Sequence, residues 1–424
     1  MRCGDNGGAS GTMRLLLVCY TFPPEDQPSG VMTHQLAEDL AASGHAVTVL
    51  TGFPNHPAGV LYPGWRRRWR QVARKEPYRL VRTWHITNRT PRLVGRSLFY
   101  LSFALTSLMN ALFLGPFDIV YCDSTPVFGA VSCWVMARIK RAGLVYAVLD
   151  VYPEAIVDAG LLKPRGMATR ILKWIDRGIC LASDQVLVIS EGIRQRILDR
   201  GVPEHRVTVV PMWMDNTDVA PAPRLNSWRR EQGIPDDAFV VLYAGTVGPV
   251  QRASVLVDVA ALLVDLPDVL VLFVAHGVSR PELEETAAQK GLNNVRFLDY
   301  QPRERLAEVQ ASSDVSVITL QAGQGLNSFP SKVLAYMAAA RPVIASVDSG
   351  SDTAGFVREG GFGVVVAPED PKALAAAVRE LRLDPDGRAN MAMRGRELFL
   401  AHYSRKAGTQ VYERLLVAAV KSAG

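Results

Sequence analysis

The sequence predicts an α/β protein made of two doubly wound, parallel-sheet domains. Short apolar runs rich in β-branched residues alternate with helical stretches along nearly the whole chain, the pattern of repeated βα units. At 424 residues the chain is long enough for about two cores. Periodicity lapses from Pro211 to Asp236, where Pro221, Pro223 and Pro235 mark a linker.

Arg14 to Cys19 reads as a buried strand, Gly30 to Ala42 as a helix that Gly44 ends, and Ala46 to Leu50 as a second strand. Asp118 to Cys122, Leu144 to Leu149 and Gln185 to Ile189 extend this series. Beyond the linker, strands are expected at Phe239 to Tyr243, Val269 to Ala275, Val295 to Leu298, Val315 to Leu320 and Val343 to Ala345, and Asp386 to Ala423 looks helical. The expected domains are 13–212 and 213–400. Residues 1–12 are polar and Gly-rich without the apolar stretch of a signal peptide, and are expected to be a disordered extension.

Hydrophobic content of 48% and charged content of 21% exclude a disordered chain. The five cysteines lack metal-ligand spacing and sit mostly in apolar runs, which fits buried thiols in a reducing cytoplasm. The histidines show no metal spacing either, and no Gly-x-Ser-x-Gly, paired-cysteine or P-loop motif is present. Charge is lopsided. Between Arg66 and Arg96 eleven basic residues (Arg66, Arg67, Arg68, Arg70, Arg74, Lys75, Arg79, Arg82, Arg89, Arg92, Arg96) face one acid, Glu76, so the segment carries +10 and the rest of the protein −4. Trp65, Trp69, Tyr78 and Trp84 are interleaved with these arginines, and the 19 residues from Ser97 to Gly115 carry no charge. That run is nominally long enough to span a bilayer. Its serines, Thr106 and Asn110, and its place between two strands of one domain, favour instead a helix with an exposed apolar face lying on a membrane. A buried helix beside a solvated basic loop is the alternative. Nucleic acid is not an expected partner, because no nucleic-acid module accompanies the patch.

The stretch Gly325 to Ser346, GLNSFPSKVLAYMAAARPVIAS, reads as loop, helix and buried strand. Ser331 is placed to cap a helix from Lys332 to Ala340, which Pro342 breaks. A helix N-terminus carries about half a positive charge and Lys332 adds a full one, a combination that suits a phosphate. An ordinary capped helix with a solvated lysine fits the same residues.

This stretch follows Pro23-Pro24 with Pro28-Ser29-Gly30, Asp150-Val-Tyr-Pro-Glu154, Ser190-Glu-Gly192, Gly201-Val-Pro203, Tyr243-Ala-Gly-Thr-Val-Gly248 and Asn294-Val-Arg-Phe-Leu298. In that order and spacing they resemble the retaining glycosyltransferases of family 4, whose GT-B architecture sets two Rossmann-like domains face to face across a cleft. The bacterial branch that glycosylates lipid-linked sugars in surface-polysaccharide assembly is the most similar. The resemblance runs from about Met13 onward. It implies an acceptor domain, then a nucleotide-sugar domain, then a C-terminal helix (401–424) crossing back onto the first.

The resemblance also implies site residues. Lys332 and Ser331 would hold the donor diphosphate, within a donor segment that includes Asn327, Ser328, Phe329, Pro330 and Ala335. Gly245 and Gly248 would let backbone approach the donor, with Gln251 and Arg252 reaching the diphosphate and His276 touching the donor. Ser29 and Gly30 would approach from the first domain. Asp150 and Glu154 would stand near the transferring sugar, orienting the acceptor or capping the next helix. In front-face transfer the leaving phosphate itself can take the acceptor proton, so a protein base is unnecessary. Two departures stand out. The family's usual pair of glutamates is here Asn327 and Ala335, and Ala335 cannot accept a bond from ribose. The usual Gly-Asp-Gly-like turn is Ala275-His276-Gly277.

The expectation is a cytoplasmic retaining glycosyltransferase of the hexosyl or N-acetylhexosaminyl class, peripheral at the inner membrane face. It would move a sugar from a nucleotide diphosphate sugar, UDP-linked, to a lipid-linked or other glycosidic acceptor. No metal or other cofactor is expected, on the reading that the chain has no Asp-x-Asp to bridge a cation. The alternatives are a catalytically silent partner subunit of the same fold, motivated by the missing glutamates, and a nucleotide-sugar epimerase.

Overall fold

A computed structural model describes the chain apart from residues 1–10, 57, 76, 88–92, 124–126, 159–161, 211, 216, 218, 325–329 and 424. Most of the predicted extension, and Asn327, Ser328 and Phe329, therefore lie outside the described residues. The chain forms two compact units, Met1–Val210 with Thr409–Gly424, and Pro211–Gly408.

The first unit runs β1 (Arg14–Val18), α1 (Pro28–Ala42), β2 (Ala46–Gly52), β3 (Arg70–Lys75), β4 (Tyr78–Thr83), α2 (Leu93–Leu112), β5 (Ile119–Asp123) and α3 (Val127–Lys140). It continues with β6 (Gly143–Val148), α4 (Glu154–Asp158), α5 (Met167–Ala182), β7 (Gln185–Val188), α6 (Glu191–Asp199) and β8 (Val207–Val209). Its sheet has the order β3-β4-β2-β1-β5-β6-β7-β8. Central strands such as Leu15-Leu16-Leu17-Val18 are buried on both faces, as parallel strands covered by helices must be. Right-handed crossovers put α1 on one face and α2, α3, α5 and α6 on the other, and α3 packs against both α2 and α5.

One feature departs from the sequence reading, and another follows it. The basic segment is not a solvated loop: β3 and β4 form an antiparallel hairpin at the sheet edge. Arg82 is buried within it, donating to the carbonyl oxygens of Gly52 (2.6 Å) and Pro23, with its guanidinium 4.9 Å from the Trp65 ring centre. Helix α2 is partly inside out. Thr106, Ser107 and Asn110 are buried, and Asn110 Nδ2 donates to Thr83 Oγ1 at 2.8 Å, while Leu98, Leu101, Leu105, Met109 and Leu112 face outward. The polar residues that weakened this run as a membrane span are the ones that seat it on β4. No described helix is long and apolar enough to cross a membrane.

The second unit holds α7 (Ser227–Glu231), β9 (Phe239–Thr246), α8 (Val255–Leu262), β10 (Val269–His276), α9 (Arg280–Gln289), β11 (Val295–Leu298), α10 (Leu306–Ala311) and β12 (Val315–Thr319). Then come α11 (Lys332–Ala338), β13 (Val343–Ser346), α12 (Asp352–Gly360), β14 (Gly363–Val366), α13 (Pro371–Leu383), α14 (Pro385–Leu398) and α15 (Arg405–Ala423). Its sheet, β11-β10-β9-β12-β13-β14, is parallel throughout. Cores lie on both faces, one around Tyr336 and Phe399, the other around Phe273 and Leu256. From Thr409 onward α15 belongs to the first unit: Thr409 Oγ1 donates to Asp39 at 2.8 Å, His45 Nε2 lies 3.2 Å from Glu413 Oε1, and the Tyr412 ring packs edge-on against Tyr121.

Candidate active site

In the second unit the carboxyl ends of β9, β10 and β12 gather the turns that a doubly wound sheet offers to ligands. Near the end of β9, Gly245 takes a φ of +125°, which suits glycine. After β10 the chain turns at Gly277, with φ +136°, where a Cβ would stand 2.1 Å from the Val247 carbonyl oxygen. Gly277 is thus required for the β10 turn to press on the β9 turn, and the Val247 N–H donates to the His276 carbonyl at 2.8 Å. On the other side Thr319 Oγ1 donates to the Gln251 carbonyl at 2.6 Å, tying the β9 turn to the end of β12.

Lys332, the first residue of α11, enters beneath these turns. Its Nζ lies 3.8 Å from the Tyr243 ring centre, and a Cβ on Gly245 would come within 3.5 Å of it. The amine is buried and makes no hydrogen bond among the described residues. Loss of water pushes its pKa down from 10.5 to about 7. A buried ammonium set over a tyrosine face without a hydrogen bond among the described residues is a costly arrangement. An anion delivered to the turns would relieve it.

The comparisons with known proteins fall on the same two units. Residues 226–398 match the family model described as glycosyl transferases group 1, and residues 29–213 match the glycosyl transferase 4-like domain. The chain belongs to the GT4-like glycosyltransferases of the GT-B fold. It is 26% identical over 388 residues to the putative colanic acid biosynthesis glycosyl transferase WcaI of Escherichia coli K12, covering 88% of this chain and 93% of that one. Among solved structures it is similar to sucrose-phosphate synthase of Thermosynechococcus elongatus (TM-score 0.74, 19% identity, 96% of this chain and 100% of that one). It is also similar to Anabaena HepE in complex with UDP (TM-score 0.69, 15% identity, 96% and 100%).

Within this glycosyltransferase the other expected site residues are placed unevenly. Ser331 does not cap α11: it is already helical in its backbone and its side chain accepts no capping bond. The helix has only 7 residues, Lys332–Ala338, so Lys332 rather than a helix dipole dominates the local charge. Pro330 precedes it half-buried, and Ala335 is buried inside it. Gly248 lies beside Gln251, whose Oε1 would be 3.0 Å from a Cβ there. Arg252 takes a left-handed backbone (φ +46°) and its Nε donates to Glu369 Oε1 at 2.6 Å, an acidic partner the sequence did not reveal. His276 is exposed and sits edge-on to Tyr300, ring centres 5.1 Å apart.

In the first unit Ser29 and Gly30 fall in the first turn of α1, two residues earlier than the helix was expected to begin. A Cβ on Gly30 would meet the Thr21 carbonyl oxygen at 2.7 Å, so this glycine lets the helix start press on the loop after β1. Asp150, just past β6, is accessible at its edge, yet partial loss of water raises its carboxyl above the ordinary range. Glu154 opens α4 and pairs with Arg200 (2.9 Å) and Lys173 (3.0 Å). Desolvation works against its charge, but Arg200 and Lys173 prevail and hold its pKa below the usual value. A buried carboxylate missed by sequence reasoning, Glu25, accepts from the backbone N–H groups of Phe22, Asn55 and His56 at 2.9–3.2 Å and fixes the loops after β1 and β2.

The chain does contain one Asp-x-Asp, Asp384-Pro385-Asp386, contrary to the expectation. Asp384 accepts from the Gly387 N–H at 2.8 Å, capping α14. Nearby Arg382 is bonded to Asp268 at the amino end of β10, so this motif lies at the opposite end of the strands from Lys332.

Proposed function

We propose that this glycosyltransferase moves a sugar from a UDP-sugar, with retention of configuration and without a metal, to a lipid-linked acceptor at the inner face of the cytoplasmic membrane. The buried Lys332 amine below the β9 and β10 turns is the observation that carries the donor reading. Cleavage of the sugar–phosphate bond leaves charge on the diphosphate. Lys332, beneath the Gly245–Gly248 turn, is the fixed cation that takes it up. The leaving phosphate oxygen then accepts the proton of the attacking acceptor hydroxyl on the same face. In the first unit Asp150 is the carboxyl proposed to bind the acceptor, while Glu154, held by Arg200 and Lys173, shapes the loop. HepE, a protein of similar fold, is found with UDP and with UDP-glucose, which supports a UDP donor. The outward apolar stripe of α2 beside the arginine-rich hairpin supports membrane docking through residues 65–115. WcaI carries a colanic acid name, which supports an acceptor in surface-polysaccharide assembly.

The test is a panel of nucleotide sugars screened by thermal shift, followed by transfer to lipid-linked sugar acceptors with the anomeric configuration read by NMR. Stabilisation by UDP-sugars and a retained α or β linkage are expected. Stabilisation without transfer to any acceptor would favour the silent subunit, and interconversion of the donor sugar the epimerase.

A further inference from the structure

On the first unit a cavity of about 500 Å³ opens between α4, α5 and α6. Lys173, Arg177, Arg196 and Arg200 line it, against the acids Glu154 and Asp199. Its remaining wall is Trp174, 74% exposed, which continues an outward ridge with Met167 and Ile171 at helical spacing along α5. A second stripe beside that ridge, Arg170, Lys173 and Arg177, is exposed and basic. From 163 to 177 five exposed cations face one acid, Asp176, which is buried and bonded to Arg200. Because α5 packs on α3 and α3 on α2, this ridge lies in the same helix layer as the α2 stripe.

From this placement we propose that the cavity is a headgroup site for an anionic phospholipid. The lipid phosphate enters among Lys173, Arg177 and Arg196, and Trp174, Ile171 and Met167 lie among the acyl chains. An excess of cations in a concave site, bordered by an exposed tryptophan and two aliphatic side chains, matches a molecule that is anionic at one end and apolar at the other. The site rests on the membrane part of the proposed function and adds a second foothold remote in sequence from the arginine-rich hairpin.

Vesicle co-sedimentation of the full chain tests it, using phosphatidylcholine alone and phosphatidylcholine with phosphatidylglycerol. Arg177→Gln/Arg196→Gln should weaken partition onto the anionic vesicles by about 30-fold, the worth of two arginines near an anionic surface. Arg196→Gln alone should lose about fivefold, and it spares the bond from Arg177 Nε to the Arg200 carbonyl. Trp174→Ala should reduce the binding that survives high salt. Circular dichroism confirms folding of each variant. If wild-type protein ignores anionic vesicles, the membrane reading itself falls and this site with it. If Arg66/Arg67/Arg68/Arg70→Glu releases the protein while the cavity variants bind as wild type, only this site is overturned. Inorganic phosphate binding that the double variant abolishes, with vesicle partition unchanged, overturns it in favour of a soluble anion.

Discussion

Donor binding should draw a proton into the second unit. With its pKa near 7, the Lys332 amine is about one-tenth protonated at about pH 8. A diphosphate placed against it returns the pKa toward 10.5, where the amine is essentially fully charged. The difference is an uptake of about 0.9 proton per UDP bound at about pH 8, and affinity should fall about tenfold per pH unit from about 8 to 9.5. Full restoration is a coupling of about 5 kcal/mol, from about 3.5 units at 1.36 kcal/mol each. Isothermal titration in buffers of different ionisation enthalpy reads the uptake directly as a slope. Lys332→Met keeps the apolar stem, removes the titrating group and should bring the slope to zero. A wild-type slope near zero, with UDP bound, would falsify the role given to this amine. The sign for the empty protein is the reverse of the usual salt-bridged lysine. The unfolded chain holds this proton up to about 10.4 while the folded one sheds it above 7, so stability rises with pH across that window.

Lys332→Ala should lower turnover by about 10²–10³, as for loss of one donor to a developing oxyanion; unchanged kinetics in a folded variant would remove it from the site. Transfer in excess EDTA should stay near its value without chelator, and loss that magnesium or manganese restores would reverse that expectation. Wild-type protein should sediment with anionic vesicles, partly detach in high salt, and detach further as Arg66/Arg67/Arg68/Arg70→Glu, because screening acts on exposed charges over about 10 Å at 0.1 M. Gly277→Ala should destabilise the second unit by more than about 2 kcal/mol in urea melts, since its Cβ collides with the Val247 carbonyl and its φ is positive; a wild-type midpoint would show that the turn can shift.

The parallel strands were legible because runs such as Val269 to Ala275 are apolar on both faces, and burial demands that. The β3–β4 hairpin was not. Arg70, Arg79 and Arg82 break the apolar alternation, and Arg82 is buried only because the Gly52 and Pro23 carbonyls and the Trp65 ring meet it from other parts of the chain. Strand β14, four residues of Gly-Val-Val-Val, was too short to separate from a loop. Lys332 stood out as a cation at a helix start, and the family resemblance made it a donor ligand. Its burial over Tyr243 and the glutamate facing Arg252 depend on segments far apart in sequence, and no local pattern encodes them.

The chain order of the units bears on how this protein is made. Pro211–Gly408 is continuous and can fold once it has left the ribosome, whereas the first unit is incomplete until Thr409 and the residues after it are made. Until then the surface that receives Tyr412 and Leu416, including the Tyr121 ring, stays uncovered. Roughly two hundred residues of synthesis, at about 5–20 residues per second, separate the two parts of that unit. During those seconds the nascent first unit is a natural client for a chaperone.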